Sequence, residues 1–290
     1  MTTTTTTPAQ ASTPQGGRRG DWPAIGGLLV VTAAWGSTFV LLKDVTTRIP
    51  AADYLTLRFG LAALVLAALR PRGVVAMPST LRQRAVVLGA LFGVSNLLLT
   101  VGLTHTSASV SGFVTGMYVV FPPLLGAALL RERVAANVWV AIALATTGLG
   151  VLALRGATLG IGELLTLAGA LVCALHIVAL GAWSQARYAI ELAVIQAATT
   201  AVICALFALP GGITLPTARA DWLGLIYMAV VVGAVTMLMQ TWAQSQLHAS
   251  RAAIVMTLEP VWATVFAVVI TFGVIYNLSL IHISEPTRPY

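Results

Sequence analysis

Residues 84–103 read RAVVLGALFGVSNLLLTVGL, one arginine followed by nineteen uncharged, mostly apolar residues. A helix of about 20 residues is about 30 Å long, the thickness of a bilayer's hydrocarbon core. The next apolar stretch, 107–130, begins after only Thr104, His105 and Thr106. Working outward from this pair gives nine such stretches: 22–42, 51–70, 84–103, 107–130, 134–154, 161–183, 189–209, 222–245 and 249–272. They are segments 1 to 9 below. Short punctuated loops separate them, such as Arg48-Ile49-Pro50, Arg70-Pro71-Arg72-Gly73 and Leu209-Pro210-Gly211-Gly212. Backbone buried in lipid must satisfy its own hydrogen bonds, as helices or as a closed barrel. The segments lack strand alternation and are too long for barrel strands. The expected fold is an all-α polytopic membrane protein.

Composition agrees. Of 290 residues, 58% are hydrophobic and only 9% charged. Soluble domains carry about 25% charged residues. Disorder requires low hydrophobicity and high charge. The mean hydropathy of +0.91 excludes both classes. In such a chain the net charge of +7 reports membrane orientation rather than a nucleic-acid surface. Cys173 and Cys204 lie inside apolar segments, where cysteine packs as a small apolar residue. No metal-ligand spacing occurs. Residues 1–20, with six threonines, Pro8, Pro14, Arg18 and Arg19, are expected to be a disordered polar arm without a signal peptide's apolar core.

With the N-terminus inside, the inside loops hold Arg18, Arg19, Arg70, Arg72, Arg82, Arg84, Arg131, Arg133, Arg187 and Arg251. The outside loops hold Lys43, Arg48, Arg155 and Arg219. This bias favours a cytoplasmic N-terminus.

A shift of 141 residues lays segment 1 on 6, 2 on 7, 3 on 8 and 4 on 9. Ala33 meets Ala174, Leu97 meets Leu238, Thr100 meets Thr241, Val114 meets Val255 and Val120 meets Val261. Such identities are common by chance in a chain rich in Ala, Val and Leu; the unbroken register over four pairs carries more weight. One repeat holds five segments, an odd number, so the second copy enters the membrane upside down. Inverted repeats mark secondary transporters, with substrate bound near mid-membrane where the halves meet. Gene duplication in a non-transporting membrane protein is the other reading.

Several runs resemble the EamA-type members of the drug/metabolite transporter superfamily. They are Ala34-Trp35-Gly36-Ser37-Thr38-Phe39 with Lys43, Pro50 and Arg58-Phe59; Thr115-Gly116-Met117-Tyr118-Val119-Val120-Phe121 with Pro122-Pro123 and Arg131-Glu132-Arg133; and Leu258-Glu259-Pro260-Val261-Trp262. The resemblance covers about residues 22–272. It implies ten helices in two inverted five-helix halves and both termini in the cytoplasm. It also implies a carrier of the bacterial inner membrane, mostly exporting amino acids, metabolites or drug-like compounds by alternating access. Its partners would be a small-molecule substrate and the lipid bilayer, with no nucleic acid and no cofactor. No phosphate-binding GxxxxGK[ST] loop is present, and neither HExxH nor GxSxG, so no enzymatic activity is expected.

The end departs from the resemblance. Where a Gly-Glu turn and a tenth helix are expected, Leu278-Ser279-Leu280-Ile281-His282-Ile283-Ser284-Glu285-Pro286 resembles translated sequencing-adapter sequence. The expected organisation is therefore an arm (1–20), a first repeat (21–155), a truncated second repeat lacking the tenth helix (156–277) and a non-native tail (278–290). An inactive truncated carrier, or a structural or receptor-like membrane protein, is the alternative function.

Polar residues inside the segments are the candidate site. Trp35, Ser37 and Thr38 could line a cavity or only pack helices. Lys43 either snorkels to the interface or faces a cavity mouth. Arg58 sits too deep to face lipid, and either holds a substrate carboxylate or pairs with an acid such as Asp53. Glu259 is a candidate proton-coupling group, and Pro260 beside it frees a carbonyl one turn earlier. By the repeat Glu259 corresponds to Tyr118, and His176 to Trp35. Gln240 and Gln244 form a polar stripe, and Asn96 is a further candidate. Pro122, Pro123 and Pro260 are expected helix kinks. Gly89-xxx-Gly93 and Gly112-xxx-Gly116 allow close helix approach, either within one chain or in a homodimer.

Overall fold

The computed structural model describes residues 21–266 except 117, 119, 131–138, 141, 142, 145, 146, 148–159 and 248, and also describes 268 and 269. The described residues are mostly helical, with no strand among them. The arm, most of segment 5, the end of segment 9 and the tail lie outside them.

Segment 1 is two helices, α1 (Trp22–Gly36) and α2 (Thr38–Val45), meeting at Ser37. Segment 2 is α3 (Ala51–Leu69), followed by the short α4 (Gly73–Ala76). Segment 3 is α5 (Ser79–Thr104). Segment 4 is α6 (Ala108–Gly116) and α7 (Phe121–Leu130). Segments 6 and 7 are α8 (Ile161–Trp183) and α9 (Ala189–Ala208). Segment 8 is α10 (Arg219–Ala229), a π-helical turn Val230–Val235, and α11 (Thr236–Gln244). Segment 9 is α12 (Ala249–Met256) followed, after a turn at Thr257 and Leu258, by helical residues 259–266.

Segments 1, 2, 3, 6, 7 and 8 are long and apolar enough to cross a membrane; segments 4 and 9 are shorter helices broken near their middles. The prolines expected as kinks explain the breaks differently. Pro122 and Pro123 are the second and third residues of α7. Pro260 is the second residue of the run 259–266. Proline is tolerated in a first turn, where its absent N–H would have no partner. Each break therefore falls before the proline, which starts the next helix. Leu64, Val202, Leu206 and Phe207 point outward, each more than half exposed. A soluble protein rarely exposes so large an apolar surface; a lipid-facing bundle must.

The contacts obey the 141-residue shift. Helix α5 packs on α8, and its image is α11 on α1. Helix α5 packs on α9, and its image is α10 with the π turn on α3. Helices α6 and α7 pack on α8, and the image is α12 on α1. The α3–α9 pair is its own image, and so is the pairing of segments 4 and 9, where α7 packs on α12; a pseudo-two-fold axis passes through both.

The inversion is visible at the ends. At one end Lys43 Nζ donates to the carbonyls of Leu103 and Thr106, Thr106 bonds Glu163, and Arg48 bonds Asp44 and Asp221. At the other end Arg70 bonds Glu191, Arg251 bonds Asp21, and Arg84 lies over the Trp183 ring. Segment 1 thus runs from the second end to the first, and its copy, α8, runs back.

Glycines set the closest crossings. A Cβ on Gly89 would lie 2.7 Å from the Gln196 carbonyl oxygen, and one on Gly93 would lie 3.2 Å from Thr200 Cα. A Cβ on Gly116 would lie 3.0 Å from Pro260 Cγ. These small faces are filled by the chain's own helices.

Candidate functional site

A cavity of about 90 Å³ lies between the halves. Its floor is at mid-bundle, formed by Tyr118 and Glu259, and it extends along Thr100 and Thr38 toward Leu42 and Leu103 at the Lys43 end. Of the expected site residues, Trp35, Thr38, Arg58, Asn96, Tyr118 and Glu259 line it. Phe92, Ser95, Leu99, Thr100, Ser111, Thr115 and Cys173 also line it and were not anticipated. Four of them could have been found by spacing: with Asn96 and Leu103, residues 92, 95, 99 and 100 form one face of α5 at i, i+3 and i+4 steps.

Tyr118 is the cavity's best-anchored group. Its hydroxyl is 2.8 Å from Glu259 Oε2 and 2.8 Å from the Met256 carbonyl oxygen. That carbonyl would ordinarily receive the N–H of residue 260, which is proline. The helix break thus presents an acceptor to the cavity floor, and a phenol takes it. A phenol has one proton, and a carbonyl only accepts. Both contacts are therefore hydrogen bonds together only when the Glu259 carboxyl donates to the Tyr118 oxygen. When the carboxylate is ionised, one of Tyr118's two partners must go without.

Arg58 is 6% exposed. It does not pair with Asp53, which instead accepts from the Thr214 N–H. The guanidinium donates to the carbonyls of Met228 at 3.1 Å and Val232 at 3.4 Å. These flank the start of the π turn, where hydrogen-bond register changes and carbonyls are left under-used. It also lies 4.9 Å from the Phe59 ring centre. Lys43 does not line the cavity: it closes the C-terminus of α5, a favourable place for a cation.

Trp35 Nε1 donates to Thr236 Oγ1 at 3.1 Å, and Thr38 and Asn96 bond local carbonyls. Ser37 lies outside the cavity, bonding the Ala34 carbonyl and the Tyr227 hydroxyl. His176, Gln240 and Gln244 do not line the cavity either. His176 Nε2 is 2.9 Å from Gln196 Oε1, and Gln196 Nε2 is 3.3 Å from Thr241 Oγ1. Gln244 donates to the Ile177 carbonyl. His176 Nδ1, Gln240 Nε2 and Gln244 Oε1 are buried with no hydrogen-bond partner among the described residues. Each such group costs about 1–3 kcal/mol. Among the described residues no group of three metal-ligating side chains is gathered.

An all-helical bundle of two inverted halves, with a partly polar cavity at their junction, defines a membrane transporter. The chain belongs to the EamA-like transporter family, which it matches twice, over residues 22–154 and 160–283. A protein of Archaeoglobus fulgidus named as an uncharacterized transporter is 27% identical over 248 residues, covering 84% of this chain and 77% of its own. The crystal structure of a protein 21% identical to this chain superimposes with a TM-score of 0.66, covering 87% of this chain and 90% of its own; that likeness concerns the fold alone.

Proposed function

We propose that the protein is a secondary carrier that exports small metabolites, amino acids or drug-like compounds by alternating access, without catalysis or a cofactor. It sits in a bacterial inner membrane with its N-terminus in the cytoplasm. Trp35, Thr38, Asn96 and Tyr118 contact the substrate, and Glu259 carries the coupled proton. The observation that carries this reading is the Tyr118–Glu259–Met256 contact at the cavity floor, whose hydrogen bonds depend on where one proton resides. Binding of solute to Tyr118 competes with those bonds, so proton and solute occupancy become linked.

A cavity of about 90 Å³ is below the roughly 300–1,000 Å³ of ordinary ligand sites. The cavity must widen to take a metabolite, as a carrier's occluding site does. Its aromatic and aliphatic walls with a few hydroxyls and one amide suit a small amphipathic solute. The glycine faces serve packing within one chain, so a homodimer is not needed for the site.

The test is tracer counterflow in liposomes bearing the full chain, over a panel of radiolabelled amino acids and small amphipathic compounds. The carrier reading expects at least one compound to accumulate, and Asn96→Ala to weaken that accumulation. A folded protein that moves none of the panel would instead support a non-transporting membrane protein.

A further inference from the structure

The 141-residue shift maps the cavity onto a second place in the molecule. Trp35 maps to His176, Leu99 to Gln240, Thr100 to Thr241, Leu103 to Gln244, and Tyr118 to Glu259. The first set lines the cavity. The second set lies outside it: His176, Gln240, Thr241 and Gln244 do not line the cavity and are buried, as Thr100, Leu103 and Tyr118 also are. Both sets meet at the same floor, because Tyr118 and Glu259 touch. The cavity runs from that floor toward the Lys43 end. Its image runs from the floor toward the opposite end, where Arg70 bonds Glu191.

The second set is chemically odd for a packed core. Where the cavity has Leu99 and Leu103, its image has two glutamines. Gln240 Nε2, Gln244 Oε1 and His176 Nδ1 have no partner among the described residues. Buried polar groups are almost always satisfied, and a native orphan calls for an explanation. Three orphans at symmetry images of cavity-wall residues have a common one, since those side chains would be solvated if this half adopted the other half's arrangement.

We propose that His176, Gln240, Thr241 and Gln244 line a second vestibule, closed in this conformation, through which solute reaches the Tyr118–Glu259 floor from the opposite membrane face. The proposal rests on the carrier reading and adds the second half of the path. Its donors and acceptors are neutral amides, a hydroxyl and an imidazole, so it suits an uncharged or zwitterionic hydrogen-bonding solute.

The matched pair Thr100→Cys and Thr241→Cys tests it, because both sites carry the same residue and the replacement is of similar size. Each is placed in a Cys173→Ala, Cys204→Ala background and treated with a membrane-impermeant maleimide on either face of oriented membrane vesicles. Asp44→Cys and Arg187→Cys mark the two faces. Position 100 is expected to react from the Asp44 face, and position 241 from the Arg187 face. If the second vestibule opens in a minor state populated at about 0.1–10%, labelling at 241 is about 10- to 1,000-fold slower than at 100. Gln244→Cys, nearer the end, should react from the same face as 241 and at least as fast. Silence at both 241 and 244 from either face overturns the proposal, as does reaction from the Asp44 face. Counterflow activity with a silent 241 and 244 would remove the second vestibule and leave the carrier; correct labelling without counterflow would do the reverse.

Discussion

Tyr118 and Glu259, 141 residues apart in sequence, share a hydrogen bond of 2.8 Å. That separation equals the offset relating the two repeats, so each residue is the other's symmetry image. Two images in contact must straddle the pseudo-two-fold axis. One half contributes a phenol and the other a carboxyl, so the symmetry relates the order and packing of the segments and is broken in chemistry where the halves meet.

The Tyr118 hydroxyl also serves the carbonyl that Pro260 leaves free. Tyr118→Phe should destabilise the protein by about 1–3 kcal/mol, the cost of leaving a buried acceptor without a donor. For a chain of this size each kcal/mol is worth about 2–4 °C of melting temperature. Thermal melts in detergent check this. Because the hydroxyl serves both partners, Tyr118→Phe combined with Glu259→Gln should cost less than the sum of the single changes.

Gly36 and Gly60 should respond oppositely to alanine. A Cβ on Gly36 would lie 2.6 Å from Trp262 Cβ and 2.7 Å from the Ala263 nitrogen, where segment 1 crosses segment 9. Overpacking there costs about 1–3 kcal/mol. A Cβ on Gly60, inside α3, would meet nothing within 4 Å. Gly60→Ala should stabilise by about 0.5–1 kcal/mol through helix propensity. The two melting temperatures, one lowered and one raised, check the crossing.

Arg58→Lys should not be conservative. A guanidinium can reach the Met228 and Val232 carbonyls at once, whereas an ammonium is a single compact donor. Losing either bond leaves a buried carbonyl under-satisfied, at about 1–3 kcal/mol. A fall in melting temperature for Arg58→Lys, with Arg58→Met lower still, is the expected order.

Lys43 and Asp44 are neighbours with unequal roles. Lys43 Nζ donates to two carbonyls at the end of α5, both at 2.7 Å. Hydrogen bonds from a charged group are worth about 1.5–3 kcal/mol, so Lys43→Met should be clearly destabilising. The Asp44 side chain is 66% exposed and pairs with Arg48 on the surface. Asp44→Ala should cost less than about 1 kcal/mol, an effect that salt screens further. Melts at low and high salt separate the two.

The segments and the repeat were legible because both depend on what lipid demands of every residue, namely length and apolarity. The breaks were not. Gly36-Ser37 and Gly116 do not forbid a helix, and Val230–Val235 is a run of strong apolar residues with no sign of a π turn. These irregularities are fixed by tertiary partners, including the Arg58 guanidinium on the carbonyls of segment 8. Pro260 lacks the N–H that the Met256 carbonyl would receive, but the group that takes that carbonyl, Tyr118, lies in another segment. The glutamines of α11 stood out as polar in an apolar segment. Their separation from the cavity became clear only once the two ends of the bundle were fixed by Lys43 and Arg70.

Proton flux tests the central claim most directly. The full chain is reconstituted in liposomes holding a pH-sensitive dye, and a solute that gives counterflow is added with no imposed gradient. The account predicts a solute-driven pH change with the native chain, and loss of that change in Glu259→Gln while tracer exchange persists. An undiminished pH change in Glu259→Gln would contradict it, because the proton would then travel by a route that does not pass between the two halves.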